Sequence, residues 1–442
     1  MKETIRANQR VIIIGGGFAG LQCARRLNNV EGIDVLLIDK MSFHQFQPLF
    51  YQVATAGLDS SNISFPLRKV FHHSKNVRIR IADVLEVIPE RNQVVTDIGA
   101  FYYDKLVIAT GTVTNFFGNE KLQRLCFPMK STLEALVLKN RIINNFEDAL
   151  SVKGDHSCSR LMSVVIVGGG PTGVELAGAL AEMRAKVLPK DYPELNLKQM
   201  HIYMIDRGEK PLSKMSAKAA RDAERYLTSM GVELRMKTGV KDFDGNHVLM
   251  DNGDCIDVNT VIWTAGVTGS PPEGFNDSAV VHGNRLLVNR FNQVMSTENI
   301  YAIGDIAYMQ TPDFPDGHPQ LASVATEQGK VLAKNIIAWQ QGKTAEEYEF
   351  HDKGTMATIG KRKAVVDLTV PKMYLNGWIA WMIWMTLHLM LILGVKNRVQ
   401  IFINWIYKYF TSDQSLRLIF RRSGRIFPIG EMMARETEHA TE

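Results

Sequence analysis

An α/β fold built on two parallel βαβ units is predicted by three features of the chain. First, a short β-branched run meets a glycine cluster twice, at Val11-Ile12-Ile13-Ile14 before Gly15-Gly16-Gly17 and at Val164-Val165-Ile166-Val167 before Gly168-Gly169-Gly170. Second, each cluster opens a helical segment that leads to another apolar run ending in an acid, Asp39 or Asp206. Third, the two copies are offset by 153 positions, so one supersecondary unit recurs. Strands that alternate with helices in this way imply parallel sheets with crossover helices.

In the first unit the strand 11–14 is followed by a helix over 21–27 and by the strand Val35-Leu36-Leu37-Ile38. A further strand is expected at 105–109, ending in Ala109-Thr110-Gly111. Residues 151–160 are polar and read as a connection into the second unit. That unit has strand 164–167, a helix over 174–187 and strand 202–205, with an insertion around 188–193. Strands at 261–264 and 300–303 complete the pattern, and Asn252-Gly253 predicts a hairpin turn. Residues 270–274 and 311–319 read as loops.

The glycines carry chemistry. Gly15-Gly16-Gly17-Phe18-Ala19-Gly20 is a G-x-G-x-x-G after a strand and before a helix. Gly15 permits the tight turn, Gly17 admits a pyrophosphate close to the backbone, and Gly20 allows close helix–strand packing. Asp39, 19 residues beyond Gly20, is placed to accept from ribose hydroxyls. Gly168-Gly169-Gly170-Pro171-Thr172-Gly173 repeats the arrangement, with Asp206 33 residues beyond Gly173 because of the insertion. An acid there favours NADH over NADPH, although Arg207 follows at once and is a residue type that accommodates a 2′-phosphate. Ile303-Gly304-Asp305 delivers another acid at a strand end, where it can orient a ribityl or pyrophosphate group. On this reading the first nucleotide domain is split and the second is inserted into it.

Composition sets bounds on the rest. At 45% hydrophobic and 22% charged, the 442 residues exclude a disordered, collagenous or coiled-coil protein. Four cysteines, Cys23, Cys126, Cys158 and Cys255, are 103, 32 and 97 residues apart. That spacing offers neither a redox dithiol nor a metal site, so no metal is expected and a reducing compartment is. The polar N-terminus lacks the apolar segment of a secretory signal. A net charge of +5 points to no nucleic-acid partner.

The C-terminal end differs. Residues 375–395 carry no charged side chain, and Trp378, Trp381 and Trp384 recur every three residues, which reads as one helical side. Residues 399–410 form a second, shorter apolar stretch. Between residues 396 and 425 lie seven Lys/Arg and one acid, Asp413, a local +6. Aromatic, apolar faces beside cations describe a monotopic anchor on an anionic lipid surface, with a transmembrane helix as the alternative.

Longer segments carry a resemblance. Phe46-Gln47-Pro48-Leu49-Phe50-Tyr51-Gln52-Val53-Ala54-Thr55-Ala56-Gly57-Leu58, Gly170-Pro171-Thr172-Gly173-Val174-Glu175-Leu176-Ala177, Trp263-Thr264-Ala265-Gly266-Val267, Met356-Ala357-Thr358-Ile359-Gly360 and Gly377-Trp378-Ile379-Ala380-Trp381 resemble the type II NADH:quinone oxidoreductases. These are single-subunit respiratory flavoproteins with two dinucleotide-binding domains that do not pump protons. The resemblance implies two Rossmann-like domains and a C-terminal membrane-anchoring helical region. The expected boundaries are 1–118 and 290–345 for a split FAD domain, 119–289 for an inserted NAD(H) domain and 346–442 for the anchor.

It also implies FAD at Gly15, Gly17, Gly20, Asp39, Thr110, Gly111 and Asp305, and NADH at Gly168, Gly170, Gly173, Asp206 and Gly266, NADPH not being excluded. Hydride would pass to the flavin and electrons on to a membrane quinone, menaquinone or ubiquinone. Glu175 matches a family glutamate beside the flavin and is the candidate catalytic residue for moving protons. Its ordinary reading is an acid favoured in the first helical turn. The family's quinone motif, A-Q-x-A-x-Q-Q-G, is here Ala322-Ser323-Val324-Ala325-Thr326-Glu327-Gln328-Gly329, which makes Ser323, Glu327 and Gln328 the expected quinone contacts. A homodimer on the cytoplasmic face of the inner (plasma) membrane is the expected setting. A sulfide:quinone oxidoreductase-like enzyme and a slow redox-sensing flavoprotein are the rivals. The first needs sulfur-carrying cysteines by the flavin, and no cysteine follows Cys255.

Overall fold

The computed structural model describes residues 8–414 and 416–419. Two five-stranded parallel sheets carry the fold. The first runs in the order Ile300–Ala302, Lys105–Ile108, Gln9–Ile14, Ile33–Asp39, Val77–Ile81. The second runs Phe127–Pro128, Val261–Trp263, Val164–Val167, Ile202–Asp206, Val232–Met236. In each, the strand feeding the glycine cluster is central and its apolar run is buried, as a sheet covered on both faces requires. The strand Ile300–Ala302 returns to the first sheet after the whole of the second has been built. Thr112–Thr114 pairs antiparallel with Val267–Gly269 and ties the two units together.

Helix Phe18–Leu27 packs on helix Ala322–Gln340 over one face of the first sheet. Contact is close: a Cβ on Gly329 would lie 2.3 Å from the Ala19 carbonyl oxygen. In the second unit, helix Pro171–Lys186 is crossed by strand Thr355–Gly360 of a C-terminal antiparallel sheet completed by Lys363–Leu368 and Met373–Asn376. Here Gly178 is obligatory, since a Cβ would stand 1.7 Å from the Ile359 carbonyl oxygen.

Three expectations change. Residues 151–160 are mostly helical, in Thr132–Ser151 and Asp155–Met162, broken only where Gly154 takes φ +96°. The long apolar stretch contains a strand end and a 15-residue helix, Gly377–Leu391, followed by Val395–Thr411. Fifteen residues span about 22 Å, short of a bilayer core of ~30 Å. Among the described residues no helix is long and apolar enough to cross a membrane. The tryptophans do not share one side. Three residues turn a helix about 300°, so the direction drifts, and Trp378 faces outward while Trp384 is buried.

The basic segment is also less exposed than its composition implies. Lys408 turns inward, and Arg417 is engaged by Asp191 and Asp413. Arg421, Arg422 and Arg425 lie outside the described residues.

Candidate active site

Two glycine cradles face outward from the strand ends. In the first, Gly15 takes φ +102°, where a Cβ would meet the Ala109 carbonyl oxygen at 2.3 Å, and a Cβ on Gly20 would meet the Gly15 oxygen at 1.9 Å. Nothing lies within 4 Å of the corresponding point on Gly17 or Gly111, so a bound group can approach the backbone there. Asp39 accepts from the N–H of Gly16 (2.5 Å) and of Met41 (2.6 Å). Burial raises its carboxyl above the usual range, and those N–H bonds oppose the rise. Thr110 Oγ1 is buried without a hydrogen-bond partner. Asp305 Oδ2 accepts from Thr112 Oγ1 at 3.2 Å and lies 3.8 Å from Lys130 Nζ.

The second cradle repeats this geometry. Gly168 takes φ +114°, a Cβ on Gly173 would meet the Gly168 oxygen at 2.0 Å, and the space over Gly170 is open. Asp206 accepts from Gly169 N–H (2.7 Å) and Gly208 N–H (2.6 Å). Gly266 takes φ +89° and faces Phe117, which a Cβ would approach to 3.2 Å.

Beyond the cradles, a cavity opens between helix Pro171–Lys186 and the two C-terminal helices. Tyr51, Gln52, Trp384 and Trp405 line it with Glu175 and Lys408. The helix begins at Pro171, so Glu175 lies just past its first turn, where the macrodipole does not account for it. It is buried, with its Oε1 accepting from the Thr358 N–H at 3.3 Å. Burial pushes its carboxyl up to about 8, against the pull of that N–H and of the nearby Trp384 indole. The Trp384 indole nitrogen makes no well-formed hydrogen bond, so the acid is left without a strong partner. Gln52 donates to the Tyr51 hydroxyl (2.9 Å) and accepts from Trp405 Nε1 (2.8 Å).

At the other end, burial lowers the Lys408 ammonium below its usual value. With the Gln414 amide turned so that it donates to the Thr55 oxygen, its carbonyl accepts from Lys408 Nζ at 3.3 Å. The His388 ring stacks on Trp384 at 4.0 Å, and burial holds it neutral, with a value lowered to about 4. An apolar chamber that presents a protonated carboxyl and an ammonium can donate protons to a bound carbonyl compound.

Ser323, Glu327 and Gln328 are not brought to this cavity. The buried stripe of helix Ala322–Gln340 faces the first sheet, which leaves Ser323 exposed and Glu327 bonded to Lys353 at 2.5 Å. Gln328 is buried and accepts from Gly304 N–H at 2.7 Å, fixing the turn that carries Asp305. The residues that do line the chamber with Glu175 include Tyr51, Gln52, Thr358, Trp405 and Lys408. Tyr51, Gln52 and Thr358 lie in segments quoted above for their resemblance, which was the signal available for them. Trp405 has no signal beyond an apolar stretch, and Lys408 none beyond its place in the basic segment. All four cysteines are free, and none lines the cavity.

Comparison with known proteins adds sequence and fold likeness. Residues 9–329 match the pyridine nucleotide-disulphide oxidoreductase family, and residues 352–413 match the NDH2 C-terminal domain. The chain is 30% identical over 422 residues to the type II NADH:quinone oxidoreductase Ndh of Mycobacterium tuberculosis, covering 91% of this chain and 88% of that one. A solved structure of NDH2 from Plasmodium falciparum in complex with NADH superposes with a TM-score of 0.85 at 18% identity, covering 94% of this chain and 100% of that one. The sulfide:quinone oxidoreductase of Aquifex aeolicus gives a TM-score of 0.66 at 19% identity, over 92% and 96%.

Proposed function

The chain belongs to the type II NADH:quinone oxidoreductases, and from that premise we propose how its residues divide the work. The enzyme moves electrons from NADH through FAD to a quinone. FAD, when bound, supplies the redox step, taking hydride from NADH and passing two electrons to the quinone. In this reading the first cradle holds FAD through Gly15, Gly17, Gly20, Asp39, Thr110, Gly111 and Asp305. The open space over Gly17 and the unpartnered Thr110 hydroxyl fit a dinucleotide there. The second cradle holds NADH through Gly168, Gly170, Gly173, Asp206 and Gly266. Residues 1–118 and 290–345 are assigned to the FAD domain, 119–289 to the NAD(H) domain and 346–442 to the anchor.

The cavity beside Glu175 is assigned to the quinone. Its apolar aromatic walls suit a prenylated ring, and quinone reduction consumes two protons. Glu175, buried in the cavity wall with its carboxyl pushed up to about 8 by that burial, is the acid placed there to donate and carries this assignment. Ser323, Glu327 and Gln328 then act at most through the turn at Gly304, since they lie off the chamber.

The family associates peripherally with membranes, and the exposed apolar residues of the last two helices support the same for this chain. Phe410 is 79% exposed and Met390 66%. Such a surface suits an interfacial position among anionic lipids. A homodimer on the cytoplasmic face of the inner membrane, working without proton pumping, completes the reading from the family pattern.

Stopped-flow absorbance tests the assignment. NADH is expected to bleach the flavin of the holoenzyme, and menaquinone or ubiquinone analogues to restore its colour. Bleaching followed by no recovery with either quinone would overturn the cavity assignment.

A further inference from the structure

We propose that Asp251 is a specificity-determining residue for the nucleotide, because it holds Arg207 away from the position of a 2′-phosphate. The inference rests on the reading of the second cradle as the NADH site. Both oxygens of Asp206 are fixed by backbone N–H groups, so its carboxylate has a set position at the strand end. A fixed carboxylate accepts from a ribose hydroxyl and repels a phosphate. Yet the next residue is Arg207, whose planar fork is well suited to phosphate oxygens.

Arg207 is engaged elsewhere. Its Nη2 lies 3.3 Å from Asp251 Oδ2, on the turn after strand His247–Met250. The backbone places that acid, with Asp251 N–H donating to the Gly239 carbonyl at 2.9 Å. Gly239 in turn leaves the slot in which the two side chains meet. A Cβ there would stand 2.5 Å from Asp251 Oδ2 and 2.6 Å from Arg207 Nε. The neighbouring cations are engaged in the same way, Lys210 with Glu224 at 2.7 Å and Lys237 with Glu209 at 2.8 Å. These side chains belong to the same corner, since Lys237 N–H bonds the Gly208 oxygen and Thr238 N–H bonds the Asp206 oxygen. Each cation of the corner therefore faces a carboxylate, and Asp206 is the charge presented to the ribose. Arg207 is 74% exposed, so the restraint is a weak one and its release has a modest effect.

Isothermal titration of the FAD-loaded enzyme with NAD⁺ and with NADP⁺ gives the affinity ratio for the parent and for Asp251→Asn. The ratio is expected to shift toward NADP⁺ by about five-fold, the scale of one exposed ion pair. Asp251→Glu, which keeps a carboxylate, is expected to retain the parent ratio, and Arg207→Ala in the Asp251→Asn background to abolish the gain. An unchanged ratio in Asp251→Asn, with NAD⁺ still bound, would overturn the proposal. A parent enzyme that binds neither nucleotide would instead overturn the reading of the second cradle.

Discussion

The indole N–H of Trp405 donates to Gln52 Oε1 at 2.8 Å, joining the last described helix to a motif 353 positions earlier. The same Gln52 donates to the Tyr51 hydroxyl, so one buried amide connects helix Val395–Thr411 to the wall of the chamber that Tyr51 shares with Glu175. Trp405→Phe removes the donor and leaves a buried amide oxygen without its partner. The expected cost is about 1–3 kcal/mol of unfolding free energy, read from urea denaturation. Quinone-dependent turnover should fall while reduction of a small soluble acceptor such as ferricyanide persists. Equal loss of both activities would show that the bond supports the whole fold and not the chamber.

The acid at Glu175 gives a pH signature. Below about pH 8 its carboxyl is protonated and can donate, and above it the proton is gone. Quinone-dependent kcat should therefore decline as pH rises through about 8, with no such limb in Glu175→Gln and a rate about ten-fold or more lower, within the range of general acid catalysis. Stability follows the same sign. The folded-state value lies above the unfolded one, so the stabilisation is complete below the unfolded carboxyl's value and is lost as pH rises through 8. Thermal melts of Glu175→Gln should be flatter over that window than those of the parent.

Gly170 separates binding from folding. Its φ of −73° is open to any residue, and a Cβ there meets nothing within 4 Å. Gly170→Ala should fold with a melting temperature close to the parent's, yet raise the KM for NADH by about ten-fold because the methyl occupies the space of the pyrophosphate. An unaltered KM would place the nucleotide elsewhere.

The outward residues of the last helices give a surface test. Met390→Glu together with Phe410→Glu puts two charges where both side chains are now exposed and apolar. Co-sedimentation with anionic vesicles should drop by about ten-fold or more, since each apolar side chain withdrawn from lipid forfeits roughly 1.5–3 kcal/mol. Turnover with a water-soluble quinone should remain. Undiminished sedimentation would move the membrane contact to another face.

The cradles were legible in the sequence because their chemistry is local. Strand, glycine, helix and acid follow one another along the chain, and the backbone N–H bonds from Gly16 to Asp39 and from Gly169 to Asp206 close over short distances in space. The chamber was not legible in this way. It is assembled from residues near 51, 175, 358, 384 and 408, which no spacing rule connects. Glu175 stands in a motif, while Lys408 contributes to the +6 of its segment although its side chain lines the chamber. Ser323 and Glu327 match a motif, and the packing of their helix on the first sheet leaves them outside the lining of this chamber. A spacing of three falls short of a full helical turn, so Trp378, Trp381 and Trp384 do not form one stripe.

The chamber's composition also has a consequence for how the protein comes into being. Both cradles are complete in sequence by residue 329, whereas the chamber waits for residues 358–414. During synthesis the ribosome thus delivers both glycine cradles well before the last walls of the chamber. A transcript or protease cut that ends the chain after residue 345 leaves both cradles without the chamber's C-terminal walls. With the quinone seated in the chamber as proposed, electrons drawn from NADH by such a fragment would have no quinone to reach and would be open to whatever dissolved oxidant arrives, oxygen included.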